Sequence, residues 1–449
     1  MTLKELRNKK GLSQVEAAKF LSVPIRSYKR YETEHKYEGT IKYEFLLKEL
    51  NKYRKEVQKT HVKRLDVVVA GIGYVGLPAA LLLSKKANVK LVDINKDKVN
   101  LINNHVSPIP NEDIVAALKA SNLTASDSIY TYRNADVVIV ATPTNLDTAT
   151  NRLDTFSVES VVMTIRQINR KCLIVIKSTV GIGLTERLAK EYGGTIMFMP
   201  EFLREKYALK DASYPSRIIF GVNKVNKKVE KYAKLVESCI KNDEKVIYMK
   251  PSDAEAVKLF SNTYLAMRIA FFNELDSFAT QNGLDTSDII RGMGKDSRIG
   301  DIYNNPSIMF EGYCLPKDTA ETSSTIKDVE NNQIITSIIT SNNSRLSYIE
   351  KKTIDFAKKL TGKSESEIVI GIYDLETQQN VKSFRSTSSI RLLNKLKEDH
   401  FKVIVFDKNY PNSEKDFDTF VNKSDVIVTN AYHKELKKYK NKVISPSII

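Results

Sequence analysis

The stretch Leu65-Asp-Val-Val-Val-Ala70, followed at once by Gly71-Ile-Gly73-Tyr-Val-Gly76, decides the fold of this 449-residue chain. The first part is rich in β-branched residues, which predicts a buried parallel strand. A helical run over 77–86 comes next, and a second strand ends at Asp93. In this context the glycine pattern predicts a dinucleotide site, because the glycines let backbone approach a pyrophosphate at a helix N-terminus.

Asp93 indicates which dinucleotide binds. A carboxylate at this strand end accepts hydrogen bonds from ribose hydroxyls and repels a 2′-phosphate, so NAD is favoured over NADP. Three further strands, over 135–141, 172–177 and 196–200, are each followed by polar residues. These residues collect at the carboxyl edge of the sheet, where α/β proteins bind ligands.

The rest of the chain predicts a helical connector and a second α/β region. Residues 252–281 form a long helical pattern that places Lys258 and Asn262 on one face. Strands are predicted over 368–373, 402–407 and 425–429, without a glycine fingerprint. We therefore expect an α/β fold with four parts: a helical module and linker (1–60), a Rossmann-like NAD-binding domain (61–251), a central helical domain (252–355) and a second Rossmann-like domain (356–449).

The net charge of +16 favours anionic partners, and it is unevenly distributed. Residues 1–64 hold 17 Lys and Arg against 8 Asp and Glu, a net +9, so more than half the excess lies in the first seventh of the chain. No apolar run is long enough to cross a membrane, so no membrane partner is expected. Three cysteines are too few for a disulfide framework or a zinc cluster, which predicts a cytoplasmic protein without a metal.

The basic N-terminal segment predicts a helix, a tight turn and a second helix. Ser13 and Glu16 form a capping box, and a turn is expected over 22–24. The pattern resembles the lambda-repressor/Cro-like helix-turn-helix family. The resemblance implies that residues 1–50 bind DNA through a recognition helix over 24–31, with contacts from Arg26, Ser27, Lys29 and Arg30. The alternative is a small helical domain whose charge is only a solvated surface.

A cysteine among charged residues, in Glu311-Gly-Tyr-Cys314-Leu-Pro-Lys317-Asp318, indicates where chemistry takes place. A neighbouring lysine lowers the pKa of a thiol and favours the nucleophilic thiolate. A reactive cysteine beside an NAD fold suggests aldehyde oxidation through a thioester. Cys172 and Cys239 lie in an apolar strand and a helical stretch, so we interpret both as structural.

Several separate motifs place residues 65–449 in one family. They are Gly71-Ile-Gly-Tyr-Val-Gly, Lys177-Ser-Thr-Val, Pro200-Glu-Phe-Leu-Arg-Glu, Lys258-Leu-Phe-Ser-Asn-Thr-Tyr-Leu-Ala-Met-Arg, Phe272-Asn-Glu-Leu-Asp, Ser297-Arg-Ile-Gly and Gly312-Tyr-Cys-Leu-Pro-Lys-Asp-Thr. In order and spacing they resemble the UDP-glucose/GDP-mannose dehydrogenase family, and within it the UDP-glucose 6-dehydrogenases.

The resemblance implies a four-electron oxidation that uses two NAD molecules in succession. The sugar C6 alcohol becomes an aldehyde, Cys314 adds to it, a second hydride leaves, and the thioester is hydrolysed to a uronic acid. Lys258 and Asn262 are implied to stabilise oxyanions. Asp318 and Thr179 organise the water and proton transfers, and Glu205 assists as general base.

The resemblance also implies the binding residues and a homodimer formed through the central helices. Beyond Gly71, Gly73 and Gly76, the NAD contacts are Val75, Asp93, Lys98, Thr144, Thr179, Glu205, Lys317 and Arg385. The nucleotide-sugar contacts are Glu201, Phe202, Leu203, Arg204, Glu205, Lys258, Asn262, Tyr303, Asn304, Asn305, Pro306, Ser307 and Glu311, with Arg298 reaching the neighbouring subunit's site. The C-terminal domain is implied to bind the UDP moiety.

Four departures from the family pattern bear on activity. Glu311 replaces the first glycine of Gly-Gly-x-Cys and adds negative charge beside an anionic substrate, and Met309 stands near another usual glycine. Gly181 replaces a proline, and Gln378 replaces a lysine for which Lys382 is a possible substitute. Three outcomes fit: oxidation of UDP-glucose with altered kinetics, oxidation of another nucleotide sugar such as a UDP-N-acetylhexosamine or GDP-mannose, or a weakened dehydrogenase that senses a ligand for a DNA-binding module.

Overall fold

The structure is a computed structural model that describes residues 1–52, 64–375, 387–431 and 433–445. The chain divides into two compact units, Met1–Arg64 and Leu65–Ile449. Within the described residues, no helix combines the length and the apolar character needed to cross a bilayer.

In residues 1–52 the N-terminal unit has four α-helices: α1 (Leu3–Lys9), α2 (Gln14–Phe20), α3 (Ile25–Thr33) and α4 (Ile41–Lys52). The predicted capping box is confirmed, since the Ser13 hydroxyl accepts from Glu16 N–H and the Glu16 carboxylate accepts from Ser13 N–H. The Glu32 carboxylate joins three helices, because it pairs with Arg7 at 2.5 Å and accepts a hydrogen bond from Gln14. A small core that includes Leu6, Tyr28 and Leu50 closes the unit.

The second unit begins with a large sheet of eight strands. They are β1 (Asp66–Ala70), β2 (Asn88–Val92), β3 (Thr124–Ser126), β4 (Val137–Val140), β7 (Leu173–Ile176), β8 (Ile196–Phe198), β9 (Ile218–Gly221) and β10 (Val246–Met249). A short hairpin, β5 (Leu146–Asp147) with β6 (Arg152–Leu153), lies outside this sheet. The order is β10-β9-β8-β7-β4-β1-β2-β3. All neighbours pair in parallel except β8 and β9. The strand order therefore changes direction at β1 and β4.

Helices cover both faces of this sheet, as expected for parallel strands that are buried on two sides. They are α5 (Gly76–Leu83), α6 (Lys96–Asn103), α7 (Glu112–Lys119), α8 (Phe156–Ile168), α9 (Leu184–Tyr192), α10 (Ala208–Ser213) and α11 (Lys227–Cys239). Two separate apolar clusters, one on each face, contain alternate residues of the central strands: Val67 and Val69 in one, Val68 and Ala70 in the other.

Long helices follow: α12 (Pro251–Gln281), α13 (Thr286–Gly294), α14 (Cys314–Thr325) and α15 (Gln333–Thr361), of which α12, α14 and α15 pack together. The proline at the first position of α12 suits a helix start, where its missing N–H has no intrahelical partner. The prediction of a long helix over 252–281 is thus confirmed. α12 packs against β8 and β9 of the first sheet, whereas α15 leads into the C-terminal sheet.

The C-terminal part is a parallel four-stranded sheet in the order β12-β11-β13-β14. Its strands are β11 (Val369–Tyr373), β12 (Lys402–Phe406), β13 (Val426–Val428) and β14 (Val443–Ile444), and its helices are α16 (Ser388–Glu398) and α17 (Phe417–Lys423). The three strands that the sequence predicted are present. β14 forms a further edge strand, which was not predicted because it has only two residues. Thr387 is the N-cap of α16, and its side chain accepts a hydrogen bond from Ile390 N–H.

Candidate active site

A cavity of about 440 Å³ opens at the carboxyl edge of the first sheet, where the strand order changes direction. Loops that follow four neighbouring strands line it: Gly71–Gly73 after β1, 141–145 after β4, 177–179 after β7, and Glu201 after β8. This is the position at which open α/β sheets bind their ligands.

The glycine loop fits a dinucleotide. A Cβ on Gly71 would lie 2.5 Å from the Ala141 carbonyl oxygen, and one on Gly76 would lie 2.0 Å from the Gly71 carbonyl oxygen. Both glycines are therefore needed for close packing of the loop, whereas Gly73 faces open space in the cavity. That space, beside the first turn of α5, suits a pyrophosphate.

Asp93 stands at the adenosine end of the same cavity. One carboxylate oxygen accepts a hydrogen bond from Ile72 N–H at 2.7 Å, and the other accepts from Asn95 N–H at 2.9 Å. Lys98 Nζ lies 4.0 Å from the carboxylate. The acid is thus held in place by backbone groups, and its remaining lone pairs are available to ribose hydroxyls.

Charged groups converge around Cys314 at the other end of the cavity. The thiol belongs to the first residue of α14, and Asp318 lies one turn further along, completely buried. The Asp318 carboxylate accepts from Asn262 Nδ2 at 2.6 Å and from Lys317 Nζ at 2.7 Å. Lys258 Nζ lies 3.9 Å from it, so α12 and α14 together neutralise one buried carboxylate.

Lys258 is fixed by a second contact, since its ammonium donates to the Glu201 carbonyl oxygen at 2.7 Å. The Glu201 side chain in turn accepts from Leu203 N–H at 3.0 Å. An ammonium held in this way, beside the cysteine and facing a cavity, can stabilise negative charge that develops on a bound carbonyl oxygen.

The expectation that lysine lowers the thiol pKa is wrong for the net effect. Burial raises the pKa of the Cys314 thiol, and this outweighs the lowering effects of Lys258 and Lys317, which Asp318 partly opposes. The sequence places Lys317 beside the cysteine but does not reveal how completely the thiol is withdrawn from water. Cys172 and Cys239 are buried, and burial raises their thiol pKa values as well.

Sequence reasoning missed two residues that line the cavity. The Tyr313 hydroxyl donates to the Thr144 carbonyl oxygen at 3.1 Å and to Asn145 Oδ1 at 3.0 Å, which ties the cysteine loop to the end of β4. Lys177 is buried, and desolvation lowers its pKa. Two features of the sequence could have identified them: Tyr313 is adjacent to Cys314, and Lys177 is a charged residue at the end of an apolar strand.

The structure brings many of the predicted residues to this one cavity: Gly71, Gly73, Val75, Asp93, Lys98, Thr144, Thr179, Glu201, Leu203, Glu205, Lys258, Cys314 and Lys317. Asn262 and Asp318 lie directly behind its wall. Phe202 and Arg204 line a neighbouring cavity instead, where Arg204 pairs with Asp211 at 2.7 Å. Arg385 lies outside the described residues.

Other predicted substrate contacts lie away from the cavity wall. The loop 303–307 is bound to the central helices, with Asn304 Oδ1 accepting from Arg268 and Ser307 N–H donating to Asn273. Arg298 is exposed and pairs with Asp296.

The sequence predicted a free negative charge at Glu311. In the structure its carboxylate accepts hydrogen bonds from Ser388 N–H and, at 3.4 Å, from Asn430 Nδ2.

Comparison with known proteins agrees with this arrangement. Residues 65–240 match the NAD binding domain of the UDP-glucose/GDP-mannose dehydrogenase family, and residues 252–344 match the family's central domain. A UDP-glucose 6-dehydrogenase of Campylobacter jejuni is 40% identical over 403 residues, which cover 86% of this chain and 99% of that protein. One of Streptococcus pneumoniae is 38% identical over 395 residues, covering 84% and 98%.

Among solved structures, a UDP-glucose dehydrogenase from Pyrobaculum islandicum superposes with a TM-score of 0.75 at 23% identity, covering 86% of this chain and 95% of that one. This likeness supports the α/β dehydrogenase fold. The family domains match in order along the chain, and the relatives are aligned over almost their whole length. The chain therefore belongs to the UDP-glucose/GDP-mannose dehydrogenase family and is an NAD-dependent oxidoreductase.

Proposed function

We propose that this chain oxidises UDP-glucose to UDP-glucuronate at the Cys314 cavity. The observation that carries the proposal is the cluster of Lys258, Asn262 and Lys317 around Asp318, one helical turn from Cys314 at the end of the dinucleotide cavity. The relatives, which are UDP-glucose 6-dehydrogenases, indicate the substrate. The glycine loop and Asp93 would hold NAD, which would supply the hydride acceptor.

The chain's own residues act in two successive oxidations of C6. In the first oxidation C6 loses a hydride and its hydroxyl loses a proton, which gives an aldehyde. The Cys314 thiol then gives up its proton as its sulfur adds to the aldehyde carbon, and Lys258 and Asn262 stabilise the oxygen that becomes negative. The thiohemiacetal next loses its hydroxyl proton and a second hydride, for which a second NAD would be the acceptor, and becomes a thioester. Water hydrolyses the thioester, which frees the thiol and a carboxylate.

Asp318, Thr179 and Glu205 are proposed to handle the protons. Asp318 lies one helical turn from Cys314 and close to Lys258 and Lys317, and its carboxylate is proposed to accept the proton that water releases during thioester hydrolysis. Thr179 and Glu205 line the same cavity, on the side of the nucleotide. Glu201 and Leu203, with the loop 303–307, are proposed to hold the nucleotide sugar, and Arg385 and the domain 356–449 to contact the nucleotides.

We also propose a homodimer formed through the central domain, 252–355, with Arg298 serving the neighbouring site. Large apolar side chains along α12 support this, because Phe260, Tyr264, Phe271 and Phe278 are all exposed in the single chain. Arg298 pairs with Asp296, two residues away, and its side chain extends from the surface.

The test is NADH formation from NAD with UDP-glucose, UDP-N-acetylhexosamines and GDP-mannose, with Cys314→Ser as the control. Turnover of UDP-glucose above that control, and above the other sugars, is expected. Preference for another nucleotide sugar would replace the substrate and keep the chemistry. Absence of NADH with every sugar would contradict the proposed function.

A second candidate function is DNA binding by the N-terminal unit as a helix-turn-helix module. A specific observation favours it: Arg26 and Lys29 on α3 are exposed and pair with no acidic side chain in the described part of the chain. Ser27 is half-buried beside them, and Arg30 pairs with Glu34 at 3.3 Å. Two free cations on one helix of a unit with net charge +9 suit phosphate contacts.

The experiment uses the full chain and a random-sequence DNA duplex, with binding followed by fluorescence anisotropy over a range of salt concentrations. Arg26→Ala/Lys29→Ala is expected to lower the slope of log affinity against log salt by about 2. Lys48→Ala/Lys52→Ala, on α4, is the matched charge control. Equal slopes for both variants would sink this candidate.

A further inference from the structure

The loop that leads into Cys314 is attached to the C-terminal sheet through Glu311. The Glu311 carboxylate accepts a hydrogen bond from the backbone N–H of Ser388, the first residue of α16, and a longer one from Asn430 Nδ2. Asn430 follows β13, and its side-chain Oδ1 accepts from Ile308 N–H at 3.0 Å. Ile308 and Glu311 of the loop are therefore both hydrogen-bonded to Asn430.

The same loop is attached to the first sheet only two residues further on. The Tyr313 hydroxyl donates to the Thr144 carbonyl oxygen and to the Asn145 side chain, both beyond β4. Between these two attachments stands Gly312 with a φ of +86°, a backbone conformation that favours glycine. Residues 311–314 thus connect the two α/β sheets, and the catalytic cysteine lies at the end of that connection.

We propose that Glu311 is a positioning residue that fixes the Cys314 sulfur relative to the dinucleotide cavity through its contacts with Ser388 and Asn430. A carboxylate suits this place because a helix N-terminus presents free N–H groups and a partial positive charge. The family's usual glycine has no side chain with which to make the contact. The glutamate, first interpreted as a hindrance to an anionic substrate, therefore acts in this chain as a clamp.

The expected effect on turnover rests on the proposed function, but the expected effect on the reactivity of the Cys314 thiol does not. Without the clamp the loop gains freedom around Gly312, and water reaches Cys314 more often. The thiol then reacts faster with a small alkylating reagent, while turnover falls because the sulfur is less often aligned with its substrate. General damage to the fold would also expose the buried Cys172 and Cys239, so a faster Cys314 thiol with slower turnover identifies a loop effect only when those two cysteines label no faster.

The experiment measures the alkylation rate of Cys314 by iodoacetamide in the full chain, with peptide mass spectrometry reading each cysteine separately. Glu311→Ala and Asn430→Asp are expected to raise the rate several-fold, the second because it places a carboxylate against Glu311. Glu311→Gln, which keeps the acceptor oxygen, is expected to remain close to the unmodified chain. Glu414→Ala, which removes the partner of Lys423, is the matched control and should change nothing.

Labelling of the buried Cys172 and Cys239 reports any general unfolding of a variant. In parallel, kcat is expected to fall by about 10²-fold in Glu311→Ala, with the KM for NAD unchanged and most of the loss recovered in Glu311→Gln. Unaltered Cys314 alkylation in both Glu311→Ala and Asn430→Asp would overturn the clamp. If the unmodified chain oxidises no nucleotide sugar, the proposed function fails, whereas the alkylation rates still decide the role of Glu311.

Discussion

Asn262 Nδ2 lies 2.6 Å from Asp318 Oδ2, and this buried hydrogen bond joins α12 to α14. Asn262, Lys317 at 2.7 Å and Lys258 at 3.9 Å together surround a carboxylate that has no contact with solvent. A buried charge is tolerated only when it is compensated in this way. The same contacts that keep the two helices together therefore hold the groups that are needed around the cysteine.

Removal of the Asn262 amide is predicted to affect both stability and turnover. Asn262→Ala leaves one oxygen of Asp318 without its donor, which should lower the free energy of unfolding by about 1–3 kcal/mol. Loss of an oxyanion donor should reduce kcat by about 10²–10³-fold. Urea denaturation and NADH formation check the two effects. Gln281→Ala, exposed at the end of the same helix, is the control, and an equal effect there would contradict the assignment.

The pH dependence of Cys314 reactivity is predicted from its raised pKa. Because burial holds this pKa above the ordinary thiol value, little thiolate exists at neutral pH, and the alkylation rate should continue to rise as pH passes through the range of a free cysteine. Lys258→Met should move the midpoint still higher, since that ammonium makes the largest lowering contribution. A midpoint below that of free cysteine, or an equal shift in the exposed-site control Lys224→Met, would contradict the prediction.

The same shift has a consequence for stability. A raised pKa means that the folded chain binds the thiol proton more tightly than the unfolded chain does. The stabilising contribution of this group is therefore present below the unfolded pKa and is lost as pH rises through the folded pKa. Urea midpoints above neutral pH should fall less in Cys314→Ser than in the unmodified chain.

The sequence predicted those parts of the fold in which local pattern and burial coincide. β4 lies within the predicted strand 135–141, because a strand buried on both faces is an uninterrupted β-branched run. β10 was not predicted, since Ile247 and Tyr248 are half-exposed and the segment lacks such a run. The antiparallel β8–β9 pair depends on contacts between distant segments, which periodicity does not encode.

For the site, motif spacing predicted that Cys314, Lys258, Asn262 and Asp318 act together, and the structure places them in one cluster. It did not predict the partner of Glu311, because Ser388 is 77 positions away. The sequence shows that Lys317 lies near Cys314, but it does not show that burial has a larger effect than charge on the thiol pKa. The sequence identified the side chains of the site, but tertiary packing decides where they point and how far water reaches them.

The preference for NAD over NADP is predicted to depend on Asp93. Its carboxylate is held at the cavity by Ile72 N–H and Asn95 N–H, and Ile94 beside it is almost fully exposed. Asp93→Ser/Ile94→Arg removes the charge that repels a 2′-phosphate and adds one that attracts it. The ratio of kcat/KM for NADP to that for NAD should rise by about 10²-fold or more.

Asp97→Ser, in the first turn of α6, is the charge control for that substitution and should leave the ratio unchanged. Because the double variant keeps the glycine loop, a loss of activity with both dinucleotides would indicate damage to the loop. An unmodified chain that uses NADP as readily as NAD would refute the role of Asp93.

Gly181, which stands where the family carries a proline, is predicted to be required by its neighbour Glu321. A Cβ at Gly181 would lie 2.8 Å from Glu321 Oε1. That carboxylate is not free to move aside, because it is buried, accepts from Leu153 N–H at 2.7 Å and pairs with Arg152 at 3.3 Å. Gly181→Pro should therefore lower the free energy of unfolding by about 1–3 kcal/mol.

Urea denaturation of Gly181→Pro, Glu321→Ser and the double variant measures the contact directly. If the carboxylate is what excludes the proline, the double variant should lose less stability than the sum of the two single variants, because the shorter serine leaves room for the ring. Gly292→Ala, in α13 with no atom close to the added Cβ, is the control and should be neutral or slightly stabilising. Strictly additive losses would mean that some other contact excludes the proline from this loop.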